Sequence, residues 1–526
     1  METRAAKKRR LIEEENKRNI GGGRDRLSDL PDDIAHRLLS FLPTTKSVAR
    51  TSVLSKRWRY LWACFPILNF SQVYDPWMTD IIATEDIISA VLSRRHENSN
   101  IKFFGFKGYL KAQWLHDWIP WLVKHKVEEL VLHILSGTGM VDFPPPLLQC
   151  DSLRSFTLEG KCPFLRFSSS YVKTTSGLPN LHTLSLTGVE FSEDDLFSDS
   201  SFPFLEKLTI DDCVGIIHLK ICCLKVKDLQ IYRIRRMNSL DISGMSLETL
   251  KINNCFKDMR VNESCVNVFA PNLQSFCWVG SNFAVKFLIQ SFPILRTAQI
   301  NYHFPFTRIK TQCAVNLFSA FSQVQDLSLY HQIFKILSNI YFELGGLPCS
   351  FKNLKTLYIS TSLSKSDIPG IACLFKSSPV VHKLGIRIYS SRGPDSDKWD
   401  NYLFNGRYTE EQFWEAQAQT LNPLLCHLEV VKIWVPSRDI DHERAINMVV
   451  KIQNLKDMKH EGVINIARFL LEHGRDLQEI IFVLQKYKDY YIPVDITAAW
   501  TKDDIGIIEG LPQGSTNVKF SYLIAN

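Results

Sequence analysis

Thirteen cysteines and fourteen histidines are the side chains of this 526-residue chain best suited to hold a metal ion or act as a nucleophile. Their spacing argues against both uses. A structural zinc site wants ligands paired a few residues apart, with a second pair downstream. Here the cysteines run from Cys64 to Cys426 without C-x-x-C spacing, and the one adjacent pair, Cys222 and Cys223, diverges along any strand that carries it. His460-Glu461 begins like a zinc-protease helix but lacks the second histidine, and His182 stands alone in a leucine-rich stretch. A single cysteine could form a thioester, yet a catalytic site needs convergent groups rather than one residue. No intrinsic catalysis, metal or cofactor is expected, and the thiols read as reduced and mostly buried in an intracellular protein. Gly21-Gly22-Gly23 reads as a flexible joint, since no Gly-Lys-Ser/Thr ending follows to make a phosphate loop.

The remaining composition narrows the classes further. Hydrophobic residues make up 45% and charged residues 22%, an ordinary globular balance able to fill large cores. The length suggests several domains. The net charge of +7 is modest, with Lys and Arg scattered outside the head, so neither nucleic acid nor a membrane surface is implied. No uncharged apolar run approaches the ~18 residues of a membrane span, and the first residues are charged rather than signal-like. Residues 1–24 read as a disordered charged head. Its Lys7-Lys8-Arg9-Arg10 cluster is either a nuclear-import signal or a solvated tail, so nucleus and/or cytoplasm is the expected location.

Residues 25–70 change character. Pro31 suits the first helical position, and Asp32 and Asp33 suit the positive helix end. Ile34, Leu38, Phe41 and Leu42 then lie on one helical face, stopped by Pro43. A short helix around Ser47–Thr51 follows. Ser55 can cap a third helix carrying Trp58, Leu61 and Trp62. Three helices in so few residues cannot bury that much apolar surface among themselves, which points to a protein partner. The alternative is a small helical subdomain packed on its own chain.

The ordered elements Leu30-Pro31-Asp32-Asp33-Ile34, Leu38-Leu39, Phe41-Leu42-Pro43, Val53-Leu54-Ser55-Lys56-Arg57-Trp58-Arg59 and Leu61-Trp62 resemble an F-box. The resemblance implies docking on a Skp-type adaptor and, through it, on the cullin and RING subunits of a ubiquitin ligase. It also implies that Leu30, Pro31, Ile34, Leu38, Leu39, Leu54 and Trp58 line the adaptor-facing surface.

Residues 71–390 repeat a pattern of apolar, two variable, apolar, one variable, apolar. It is clear at Leu181, Leu184 and Leu186, at Leu205, Leu208 and Ile210, and at Leu354, Leu357 and Ile359. Fainter copies begin at Ile101, Val127, Leu153, Leu295 and Val381, and successive starts lie 21 to 30 residues apart. A leucine-rich repeat has a period of about 20 to 29 residues, and its units must stack because one alone cannot bury its apolar face. The fold class expected is therefore α/β: a three-helix F-box followed by an irregular leucine-rich-repeat solenoid with a parallel sheet, resembling the plant type. The variable positions Thr183, Ser185, Lys207, Thr209, Lys251, Gln299 and Tyr358, with Ser360, are expected on the concave face, as a target-binding surface or as plain solvated sheet.

Residues 391–526 are less regular. A polar loop spans Ser390–Lys398, and Thr409 with Gln412 reads as a capping box opening a helix through Phe413, Trp414 and Leu421. A helix over Glu461–His473 stops at Gly474, and strand motifs lie at Leu428–Ile433, Leu477–Phe482 and Val518–Tyr522. With Leu511-Pro-Gln-Gly-Ser515, this order is similar to the FBD tail of F-box proteins, apart from the long spacer between Ile433 and Glu461. It is expected to continue or cap the array. Together these features point to a non-catalytic substrate receptor of an SCF-type ligase, the alternative being a ligase-independent interaction scaffold.

Overall fold

The computed structural model describes residues 30–42, 44–71, 81–138, 140–160, 165–167, 178–192, 196–234, 236–256, 264–280, 286–289, 291–302, 311–331, 333–388, 410–436, 461–485 and 518–525. The charged head, the Pro43 stop, the Ser390–Lys398 loop, Thr409 and the Leu511–Ser515 stretch lie outside them. The chain forms two compact units, Met1–Cys162 and Pro163–Asn526.

In the first unit, α1 spans Asp32–Leu39, α2 spans Thr45–Arg50 and α3 spans Lys56–Ala63, with a 3-10 turn over Thr51–Val53. Each start has a local cause. Pro31 precedes α1, whose first turn holds Asp32 and Asp33 against the positive helix end. The Thr44 hydroxyl accepts the Ser47 N–H at 3.1 Å, and the Ser55 hydroxyl accepts the Trp58 N–H at 3.2 Å. The helices pack on their own chain through a few polar ties. Thr45 Oγ1 donates to the Asn69 carbonyl at 3.0 Å and accepts the Asn69 N–H at 2.7 Å. The buried Arg95 guanidinium donates to the carbonyls of Phe65 at 2.8 Å and Asn100 at 3.2 Å, and burial pushes its pKa down to about 10.

Behind them, the parallel strands Ile67–Phe70, Phe103–Lys111, Glu129–Thr138 and Ser155–Gly160 set Leu68, Phe104, Leu130 and Phe156 in register. Helix Ala112–Lys124 places Trp118 against Phe104 and Phe106, at ring separations of 6.3 and 5.5 Å. The helical segment and the first repeat strands thus share one core.

The second unit is a parallel sheet running from Thr183–Thr187 to Lys519–Ala525. Leu184, Leu208, Leu229, Leu250, Phe276, Ala298, Leu327, Leu357 and Leu384 form one in-register row, and residues two positions on form the next. Alternation of buried and half-buried residues along the strands gives one covered and one open face. The C-terminal strands Val430–Pro436, Glu479–Gln485 and Lys519–Ala525 join the same sheet in parallel, so this region continues the array.

What covers the sheet changes along the unit. The strands Phe197–Ser198, His218–Cys222, Ser239–Ser243, Cys265–Phe269 and Lys286–Ile289 make a second, five-stranded parallel sheet. The repeat pattern marks only the strands of the first sheet. From Leu295 on, helices Thr311–Ala320, Ile333–Leu344 and Ile368–Lys376 take its place, followed by Glu410–Leu425 and Glu461–His473. Chain length favours this change within the second unit. A helix advances about 1.5 Å per residue against about 3.3 Å for a strand, so a helical return needs more residues. Repeat starts 21, 21, 26 and 22 residues apart return by strand, and those 29, 30 and 27 apart return by helix.

Candidate protein-docking surfaces

The N-terminal helices leave one apolar face uncovered. Ile34 and Leu38 on α1 are 44% and 41% exposed, Phe41 just beyond it 77%, and Val53 and Leu54 before α3 84% and 62%. α1 has apolar side chains on two faces, and its inward one is Ala35 and Leu39, both buried. His36 ties α1 to α3 by hydrogen bonding its Nε2 to the Leu61 carbonyl at 3.0 Å.

Pro31 is exposed and Leu30 half-buried, so both border the open face with Ile34, Leu38 and Leu54. Two expectations need correction. Leu39 and Trp58 are only 2% and 6% exposed and belong to the core beneath this face. Trp58 recurs with Leu61 and Trp62 at helical spacing on the inner side of α3, which its own chain covers. Sequence reasoning also left out Val53, the most exposed member of the patch, and Arg57. The Arg57 guanidinium spans Asp32, at 2.7 Å from Nη2 and 3.3 Å from Nε, and donates to the Leu30 carbonyl, so it holds the Leu30-Pro31 segment against α3.

On the second unit, Thr183, Ser185, Thr209, Lys251, Gln299 and Tyr358 are half-buried on the open sheet face and Lys207 is exposed there. Ser360, expected beside them, is buried, in register between Tyr330 and Arg387. The first strands of this face carry self-satisfied charge. Lys207 pairs with Asp228 at 3.6 Å, Arg233 with Asp211 at 2.7 Å, and Tyr232 donates to Gln230 at 2.7 Å. Further along, aromatic rings replace small polar residues. Tyr330 lies 5.4 Å from Tyr358, and Tyr358 lies 5.3 Å from Trp434.

The cysteines serve the scaffold. Cys213 and Cys255 follow their strands and donate to the Leu186 and Ile231 carbonyls, each at 3.6 Å. Burial pushes the thiols of Cys213, Cys223, Cys255 and Cys373 up to about 12, which keeps them protonated and poor nucleophiles at neutral pH. Among the described residues, no three His, Cys, Asp or Glu side chains gather as metal ligands, and no helix is long and apolar enough to cross a membrane.

The chain is similar to known proteins over most of its length. The F-box domain family matches residues 27–70, and the family described as the At1g61320/AtMIF1 LRR domain matches residues 93–265. An F-box/FBD/LRR-repeat protein of Arabidopsis thaliana is 30% identical over 462 residues, covering 86% of this chain and 88% of the relative. An F-box/LRR-repeat protein of the same plant is 32% identical over 262 residues, covering 48% of this chain and 81% of its own. A solved structure, a plant peptide hormone receptor with its peptide, aligns with 81% of this chain and 63% of its own at 11% identity and a TM-score of 0.27; that likeness carries no functional argument.

Proposed function

The chain belongs to the F-box/FBD/LRR-repeat family, and from that membership we propose that it is the substrate-recognition subunit of an SCF-type E3 ubiquitin ligase. The observation that carries the reading is the uncovered apolar face of Ile34, Leu38, Phe41, Val53 and Leu54 within the F-box match. Large apolar side chains grouped on one face of a soluble protein mark an interaction surface. In this reading the face docks a Skp-type adaptor, and the repeats hold a target protein on the open sheet face. The protein does no chemistry itself. It raises the effective concentration of target lysines near the conjugating enzyme held by the partner subunits. The basic cluster Lys7–Arg10 supports a nuclear as well as a cytoplasmic location.

The test is capture of a Skp-type adaptor by the full chain and by an Ile34→Asp/Leu54→Asp variant. Wild type should retain the adaptor and the variant should lose it while keeping its melting temperature. Equal capture by both would refute the docking face. Capture without any cullin-dependent change in the abundance of bound proteins would favour an interaction scaffold.

A further inference from the structure

The open face of the second unit is uneven, and its unevenness points to the chemistry of the target. Along the row that begins with Ser185, the strands present Thr209, Gln230, Lys251, Cys277, Gln299 and Ser328, and then Tyr358, Gly385 and Lys432. Two positions on, the matching row ends in Tyr330, Ser360, Arg387 and Trp434. Within these two rows, the strands from Asp326–His331 to Val430–Pro436 carry two cations and no acidic residue. The acids on this stretch of the face, Asp326 and Glu479, lie in the row two positions before Ser328 and outside both of these rows, and Glu479 is occupied by Ser521 at 2.5 Å and Lys519 at 3.4 Å.

The cations and rings form one cluster. Lys432 Nζ lies 4.9 Å from the centre of the Trp434 ring, and Arg387 stands in register against Trp434 on the neighbouring strand. Gly385 makes the cluster possible. A Cβ there would stand 2.9 Å from Tyr358 Cδ2 and 3.0 Å from Trp434 Cζ3, so only glycine lets the two rings meet above this strand. Tyrosine, tryptophan and arginine are the residues in which binding energy concentrates, because they bury much area at small entropic cost and still offer polar contacts. All of Tyr330, Tyr358, Arg387, Lys432 and Trp434 are half-buried: held by neighbours yet reachable.

We propose that this aromatic and cationic cluster is the target-binding hot spot, and that it recognises an acidic protein segment whose carboxylates pair with Arg387 and Lys432 while apolar or aromatic side chains stack on Tyr358 and Trp434. Arg387 offers a planar fork suited to a carboxylate, and the ring faces supply the apolar area that charge pairing on an open surface lacks. The inference rests on the reading that the repeats hold a target.

The probe for the test is a fluorescein-labelled random copolymer of glutamate and tyrosine, titrated into the full chain and followed by anisotropy. A lysine–tyrosine copolymer and a single-stranded thymidine oligonucleotide of matched charge are the comparisons. Wild type should bind the glutamate copolymer in preference to both. Arg387→Glu/Lys432→Glu should weaken that binding by about tenfold or more, and Tyr358→Ala should weaken it without changing the net charge. Equal binding by the charge-reversed variant, or preference for the lysine copolymer or the oligonucleotide, would overturn the proposal. Adaptor capture is measured on the same samples. An unchanged melting temperature shows that the variants fold, and failure of adaptor capture in wild type would count against the adaptor reading alone.

Discussion

The Cα of Gly370 faces the carbonyl oxygen of Phe334 so closely that a Cβ would stand 2.0 Å from it. The Gly370 N–H donates to Ser338 Oγ at 2.7 Å, and that hydroxyl donates to the Ser366 carbonyl at 2.6 Å. The Ser338 hydroxyl thereby ties helix Ile333–Leu344 to helix Ile368–Lys376, whose backbones meet at Gly370. Gly370→Ala must push the helices apart. A loss of about 1–3 kcal/mol is expected, as for other overpacked sites, read as a lower melting temperature with adaptor capture intact, since the F-box lies in the other unit.

The two faces of the F-box helices should separate by experiment. Ile34→Asp and Leu54→Asp remove docking at little cost in stability, because both side chains are already in solvent. Trp58→Ala empties a buried site and should cost about 3–5 kcal/mol. Thermal denaturation beside adaptor capture distinguishes them: the first pair should lose binding alone, the second stability first.

His125 should make stability fall on mild acidification. Its Nδ1 donates to the Ser99 carbonyl at 2.7 Å, and Nε2 is buried without a hydrogen-bond partner among the described residues. Burial, with Arg95 and Lys124 nearby, holds its pKa below the ordinary 6.5. The unfolded chain therefore takes up this proton first. The group costs nothing well above pH 6.5, and stability is lost as pH falls from there toward the lower folded-state value. His125→Asn keeps a donor for Ser99 and removes the titration, so its melting temperature should decline less than wild type between pH 7.5 and 5.5. Parallel declines would show that other groups govern the acid limb.

Cys213 and Cys255 should resist alkylation. With both thiols buried and raised to about 12, iodoacetamide at pH 8 should leave them unmodified until denaturant is added, as read by peptide mass spectrometry. Rapid labelling of the folded protein would contradict the buried geometry.

Much of this organisation is written locally. Leu184 and Leu186 alternate with Thr183 and Ser185, and a period of two forces one set inward and the other outward wherever a strand forms. The helix Glu461–His473 was legible to the residue, because Val463, Ile466, Ala467 and Leu470 share one face and Gly474 ends it. Gly474 donates its N–H to the Leu470 carbonyl at 2.9 Å, as a helix stop requires.

Which apolar face of α1 and α3 stays open was not legible, because both helices carry large apolar residues on more than one side. Only the packing of Leu39 and Trp58 on the rest of the unit leaves Ile34, Leu38 and Leu54 free. Repeat length alone did not choose between a returning strand and a returning helix: of two 26-residue steps, the one from Ile101 returns by helix Ala112–Lys124 and the one from Leu247 by strand Cys265–Phe269.

The sequence by itself determined the F-box motif, the repeat and the period-two strands, since each depends on residues close together along the chain. The tertiary structure alone decided that Tyr330, Tyr358 and Trp434 share one patch above Gly385. They come from separate repeats, and only the parallel register, which sets Tyr358 against Gly385 and Gly385 against Lys432, brings them together.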